Sequence, residues 1–308
     1  MIIDAHQHFW RYQPARDTWI GDNMAVLKRD YLPADLLPEL RANGIDGTIA
    51  VQADQSEEET LFLLEQSARN PFVAGVVGWV DLCAPNTGDR LHHFSQFPKL
   101  RGFRHVAQSE PDDRFLVRDD FVRGVSMLGE FDLTYDILIY ARQLPAAVEL
   151  VERLPNQAFV LDHVAKPNMA KPTITNGQGK SREFDNWATG IRALAHNPRV
   201  FCKLSGLITE ADWRGWRADD FKPYLDIVFD AFGTDRLMFG SDWPVCLLAG
   251  AYAQVKGLIE DYICGFTTSE REGISRDIFG NNAARFYGLE PSWGTRLMDA
   301  SHGSGSAK

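Results

Sequence analysis

Short runs of β-branched and other apolar residues recur along the chain, alternating with segments whose apolar positions return every three or four residues. The runs predict eight strands: MIIDAH from Met1, DGTIAVQ from Asp46, VAGVVGWV from Val73, KLRGFRH from Lys99, TYDILIY from Thr134, AFVLDH from Ala158, VFCKLSG from Val200 and RLMFGSD from Arg236. The segments between them predict helices. LPADLLPELRANG is opened by Pro33 and closed by Gly44, and SEEETLFLLEQSARN has Ser56 as N-cap with Glu59 completing a capping box. RQLPAAVELVERL, EFDNWATGIRALAHN and DDFKPYLDIVFDAFG carry the same periodicity.

Strand and helix in regular alternation predict an α/β fold, a single (β/α)8 barrel spanning residues 1–289. Residues 290–308 end in SHGSGSAK and read as a loose tail. Two inserts, Trp10 to Tyr31 and Ala165 to Arg182, each follow a strand. In a barrel both lie on the C-terminal face, where long loops act as lids or substrate walls.

Composition narrows the function. Of 308 residues, 44% are hydrophobic and 24% charged, which excludes a disordered or coiled-coil chain. The net charge of −10 comes without any Lys/Arg-rich run, which argues against nucleic acid or an anionic membrane as partner. No stretch of about eighteen apolar residues predicts a membrane helix, and MIIDAHQHFW lacks the features of a secretory signal. Cys83, Cys202, Cys246 and Cys264 are scattered, without metal-site spacing, and read as reduced thiols of a cytoplasmic protein.

Three strand ends carry candidate chemistry. In Asp4-Ala5-His6-Gln7-His8 the alternation of a strand points His6 and His8 the same way, so the pair can bind a metal or donate to a substrate oxygen. The same pattern also arises by chance on exposed strand ends. Gly240-Ser241-Asp242-Trp243-Pro244 ends the eighth strand, the neighbour of the first in a closed barrel, which brings Asp242 within reach of both imidazoles. An isolated Asp there would read as an Asx-turn. Leu161-Asp162-His163 adds a third imidazole on the rim, the alternative being a buried histidine bonded to backbone. No G-x-S-x-G or H-E-x-x-H is present, and Gly179-Lys180-Ser181 has Ile174 where a phosphate loop requires glycine.

Together with DAHQHFW, TWIGD, KLRGFRH, LDHVAKP, CKLSGL followed by TEADW, and MFGSDWPVCLL, these elements resemble the amidohydrolase superfamily. Within it they are most similar to the amidohydrolase-2 branch of sugar lactonases that open L-fuconolactone or L-rhamnonolactone. The resemblance runs to about Leu289 and implies a (β/α)8 barrel that hydrolyses a small-molecule sugar lactone to its acid in sugar catabolism. It carries site roles onto His6, His8, His163 and Asp242. Superfamily members with two metals use a Lys or Glu on a middle strand and a further His, whereas here those strands end Tyr140-Ala141-Arg142 and Cys202-Lys203-Leu204-Ser205. The resemblance therefore implies no required metal or cofactor; a single zinc on His6, His8, His163 and Asp242 is the alternative, as in a mononuclear zinc hydrolase or decarboxylase. A homo-oligomer is left open.

Hydrolysis needs an activated water and stabilisation of the developing oxyanion. Asp242, at a partly desolvated barrel mouth, is the expected general base with its pKa drawn toward neutrality. His6, His8 and His163 are the expected oxyanion donors. Arg104, His105, Tyr140, Lys203, Gln52, Trp79 and Trp243 stand at strand ends as candidate sugar contacts, of which alternation allows about half to face the pocket.

Overall fold

The computed structural model describes residues 1–170 and 181–289. The tail, the middle of the second insert and the Gly179-Lys180 pair lie outside the described residues. Eight parallel strands follow one another in sequence order: β1 (Ile3–Gln7), β2 (Gly47–Val51), β3 (Val73–Gly78), β4 (Leu100–His105), β5 (Thr134–Ile137), β6 (Phe159–Leu161), β7 (Val200–Leu204) and β8 (Leu237–Phe239). The ring closes just past β1 and β8. There His8 N–H donates to Trp243 O at 2.7 Å and Asp242 N–H donates to His6 O at 2.8 Å. The fold is the (β/α)8 barrel that the alternation predicts.

Around the barrel run α1 (Pro33–Ala42), α2 (Glu57–Arg69), α3 (Thr87–Ser95), α4 (Asp119–Ser126), α5 (Leu144–Arg153), α6 (Arg182–Ala195), α7 (Ala218–Phe232) and α8 (Tyr252–Ile263). After them come α9 (Thr268–Arg276) and α10 (Asn282–Phe286). Among the described residues no helix is long and apolar enough to cross a membrane. Ser56 caps α2 as expected, accepting from Glu59 N–H at 3.2 Å. Glu59 does not close the capping box. Its carboxyl passes Ser56 and accepts from Ala53 N–H at 2.5 Å and Asp54 N–H at 2.8 Å, tying the β2–α2 loop to the helix start.

Two apolar layers result from strand alternation. Outward residues such as Ile137, Leu161, Leu204 and Phe239 pack under the helices. Inward residues Ile3, Val51, Val160, Phe201 and Met238 form a separate cluster at the barrel floor, closed from below by Ala283, Phe286, Tyr287 and Leu289. The C-terminal helix is thus a plug.

β6 and β8 are shorter than the apolar runs predict, at three residues each. His163 and Asp242 lie beyond them, with φ of 53° and 56°, a left-handed conformation that no strand tolerates. β1 holds a second irregularity. Its register against β2 slips between Asp4 and Gln7, so Asp4 turns toward Ser241 and Tyr252 of α8 while His6 turns toward Arg104 and Lys203 inside the barrel.

Candidate active site

The closing seam brings the first and last motifs together. His8 Nε2 lies 3.3 Å from Asp242 Oδ1, His6 Nε2 lies 3.8 Å from the same oxygen, and the two Nε2 atoms are 3.2 Å apart. Asp4 braces the turn from behind: its carboxylate accepts from Ser241 N–H at 2.9 Å, Ser241 Oγ–H at 2.6 Å and Tyr252 O–H at 2.9 Å. A side chain at Gly240 would put its Cβ 2.6 Å from His6 Cβ, so only glycine admits β8 this close to β1.

His163 enters from the opposite side on an unusual turn. His163, Val164, Ala165 and Lys166 all have positive φ (53°, 49°, 61° and 45°), and none is glycine. Left-handed backbone costs roughly 1–2 kcal/mol per residue and survives only where neighbours impose it. Here Trp187 Nε1–H of α6 donates to Val164 O at 2.8 Å, and Lys166 N–H donates to His163 O at 2.8 Å. His163 Nδ1 meets Ser205 Oγ at 2.9 Å, and the ring lies so close to Gly206 that a Cβ there would stand 2.5 Å from Nδ1. The turn aims Nε2 at Asp242 Oδ1, 4.0 Å away, with the ring centroid 4.4 Å from that of His6.

The electrostatics correct one expectation. Burial pushes the Asp242 carboxyl up, but the His163, His8 and His6 rings around it together outweigh it and hold the group well below the usual carboxylate range. Asp242 is an ionised carboxylate of low proton affinity, where the sequence predicted a pKa near neutrality. Burial moves the imidazoles the other way, His163 down to about 4 and His6 well below its ordinary value. A second correction concerns His8. Its Nδ1–H donates to Val51 O at 2.7 Å, and a carbonyl can only accept, so in the neutral ring Nε2 presents a lone pair to the site. Neutral His8 is an acceptor, not an oxyanion donor.

Below the imidazoles lies a buried network of two cations and two carboxylates. Lys203 Nζ lies 2.5 Å from Asp136 Oδ2, 3.0 Å from Asp162 Oδ1 and 3.1 Å from His6 Nδ1. Arg104 donates from Nη1 to Asp162 Oδ2 at 2.9 Å and from Nη2 to Gln52 O, and its Nη1 lies 3.3 Å from His6 Nε2. Burial raises the Asp162 carboxyl, yet Lys203, His6 and Arg104 hold it well below the ordinary range. The balanced charges make the network tolerable in the interior, where an unpaired ion costs several kcal/mol.

These partners revise the expected sugar contacts. Lys203 and Gln52 are fully buried, with the Lys203 ammonium enclosed by the network and Gln52 Nε2–H donating to Arg104 O, so both support the floor of the site. Arg104 is 3% exposed and braces Asp162 and His6. His105 alternates with Arg104 and faces outward, where it bonds Glu110 at 2.7 Å, stacks on Phe115 and accepts from Trp79 Nε1–H at 3.3 Å. Trp79 is therefore turned away with it. Trp243 is buried against Tyr31 and Phe9. Tyr140 stands half-buried, its ring near Arg142 and 5.9 Å from Lys166 Nζ.

Sequence reading missed Asp136, Asp162, Lys166 and Glu210. A carboxylate inside the apolar runs TYDILIY and LDH is the available signal for the first two. Lys166 and Glu210, 3.4 Å apart, come from different rim loops and have no sequence signal as a pair. The first insert supplies a rim wall. Trp10 and Tyr31 pair as antiparallel backbone at its base, and Tyr31 packs edge-on to Trp243 beside Asp242.

The donor set fits a single zinc ion. His6, His163 and Asp242 each offer a ligand atom within 4.8 Å of the others, and His8 Nε2 brings a fourth within 3.3 Å of the carboxylate. Three imidazoles and a carboxylate suit that ion's preference for nitrogen and oxygen in a tetrahedral shell.

Relatives share this architecture. An L-fucono-1,5-lactonase of Burkholderia multivorans is 45% identical over 96% of this chain and 98% of its own. An L-fucono-1,5-lactonase of Burkholderia ambifaria is 35% identical, over 94% and 96% respectively. The crystal structure of a Burkholderia multivorans amidohydrolase with bound zinc superposes with a TM-score of 0.86 at 44% identity, covering 94% of this chain and all of that one. The family profile described as amidohydrolase matches residues 3–289, from β1 to the last residue of the floor plug. With that match spanning the barrel from its first strand to its plug, the chain belongs to the amidohydrolase family.

Proposed function

We propose that this protein is a hydrolase that opens the ester bond of a sugar lactone, L-fucono-1,5-lactone or a close relative, to the aldonic acid. One observation carries the reading: His6, His8, His163 and Asp242 converge at the barrel mouth of a chain 45% identical to an L-fucono-1,5-lactonase.

In this reading water attacks the lactone carbonyl while Asp242 Oδ1 takes its proton, with the His8 Nε2 lone pair holding the water's second hydrogen. His6 and His163 donate to the oxyanion. As the carbon to ring-oxygen bond breaks, Asp242 returns the proton to the leaving oxygen. Its low proton affinity makes it a modest base but a strong acid for this second transfer. Tyr140 and Lys166 line the mouth as sugar contacts. Sugar lactones are activated esters, so we assign the reaction no required metal.

A second reading, a mononuclear zinc-dependent hydrolase or decarboxylase, is favoured by the converging donor set. A zinc ion on His6, His8, His163 and Asp242 would supply Lewis-acid polarisation of the carbonyl and a more acidic bound water. We place the enzyme in the cytoplasm, in carbohydrate breakdown, as one domain over residues 1–289. The decisive experiment is a screen of L-fucono-, D-arabinono-, L-galactono- and L-rhamnonolactone by acid release. Opening of one of them well above the buffer rate supports the reading, and none above buffer overturns it.

A further inference from the structure

The floor plug reaches the site. Tyr287, just past α10, is fully enclosed, and its hydroxyl donates to Asp136 Oδ2 at 2.9 Å. The same oxygen takes the Lys203 ammonium at 2.5 Å, while Asp136 Oδ1 has no hydrogen-bond partner among the described residues. Lys203 Nζ also stands 5.6 Å from the centre of the Tyr287 ring. Two bonds on one oxygen fix the rotation of the Asp136 carboxylate. Without the tyrosine hydroxyl, Asp136 could offer Lys203 either oxygen.

Lys203 has three N–H bonds and three acceptors around it, Asp136, Asp162 and His6 Nδ1. A proton on His6 Nδ1 would face one of those N–H bonds and would be left the longer 3.4 Å contact with Asp162 Oδ1, an oxygen that the ammonium already holds at 3.0 Å. On the other side of the ring, the His8 Nε2 lone pair, fixed by Val51 O, lies 3.2 Å from His6 Nε2 and needs a donor. Arg104 Nη1, also near His6 Nε2, makes its shorter bond to Asp162.

We propose that Tyr287 is a positioning residue for His6: its hydroxyl orients Asp136, Asp136 fixes Lys203, and Lys203 keeps the imidazole proton on Nε2, facing His8 and Asp242. Within the C-terminal plug Tyr287 thereby serves the site, while Ala283, Phe286 and Leu289 close the floor. The kinetic consequence rests on the proposed lactonase reading; the tautomer does not.

Tyr287→Phe removes one hydroxyl and keeps the ring that packs the floor. Ring-nitrogen NMR of histidine-labelled protein as purified, with His6 assigned through His6→Asn and zinc content measured alongside, reads the tautomer. The wild type is expected to carry the His6 proton on Nε2. Tyr287→Phe is expected to shift the resonance toward the Nδ1-protonated form and to lower kcat about 10- to 100-fold with KM within about twofold. Leu289→Ala, which loosens the same floor at a residue that makes none of the relay's hydrogen bonds, is expected to lower thermal stability and leave both tautomer and kcat unchanged. The proposal is overturned if Tyr287→Phe leaves the His6 resonances in place, or if Leu289→Ala reproduces its effects. Stoichiometric zinc on His6 Nε2 in the purified protein also overturns it. Should the wild type open no lactone, the functional reading fails while the NMR comparison still decides the relay.

Discussion

Asp242 Oδ1 and His8 Nε2 face each other across 3.3 Å at the seam where the last strand of the barrel meets the first. One is an ionised carboxylate oxygen and the other, in the neutral ring that bonds Val51 O through Nδ1–H, an imidazole lone pair, so the seam then presents two acceptors to whatever occupies the mouth.

Asp242→Asn keeps the shape and removes the proton acceptor. It is expected to lower kcat by about 10²- to 10⁴-fold, the usual range for a positioned acid or base, with the melting temperature nearly unchanged. Steady-state kinetics beside a thermal melt checks this. Turnover near the wild-type value would remove Asp242 from the mechanism.

Chelation separates the two functional readings. Lactone opening after dialysis against a chelator is expected to stay within about twofold of the untreated enzyme. The magnitude that matters is large, because a zinc ion that supplies Lewis-acid help contributes several kcal/mol to the barrier. Abolition of activity with recovery on adding zinc would establish the zinc-dependent alternative.

Gly206→Ala tests how His163 is held. Gly206 has φ of 62°, and an added Cβ would meet the His163 ring at 2.5 Å. A loss of roughly 1–3 kcal/mol in stability is expected from the left-handed backbone and the clash, with a fall in kcat because the ring must move off Asp242. Urea unfolding and kinetics on the same sample would show both. A variant as stable and active as the wild type would mean that the His163 turn relaxes freely.

Glu59 gives a pH dependence of stability. Burial pushes its carboxyl up to about 8, against two backbone N–H bonds that favour the anion. In the unfolded chain it titrates near about 4.3. The folded state therefore holds the proton more tightly, and this group's contribution is full below about pH 4.3 and lost as pH rises through about 8. Glu59→Gln removes the titration. Relative to the variant, the wild type is expected to lose stability between pH 5 and 9 in urea unfolding. A variant that instead falls further behind as pH rises would show that the anion is the folded form.

Part of this could be read before any coordinates. The fold is set by periodicity, a local property, so the eight strands are legible to within a few residues. His6, His8, His163 and Asp242 are legible because polar residues ending apolar strands in a barrel must converge on one mouth. Gln52, Arg104 and Lys203 also stand out at strand ends, but their role does not. Alternation says which way a side chain points and nothing about how deep it sits, so residues that support the floor read as sugar contacts.

Sequence by itself determined the barrel, its rim and the four converging groups, because strand period and order along the chain fix them. Only the tertiary structure decided which charges neutralise each other. Lys203 pairs with Asp136 of β5 and Asp162 after β6, and Tyr287 comes up through the floor from the far end of the chain to join them. The ionised state of Asp242 follows from three imidazoles on other segments, none of which its own neighbours in sequence reveal. Electrostatics acts through space over a few ångströms, while the pattern along a chain records only which residues share an element.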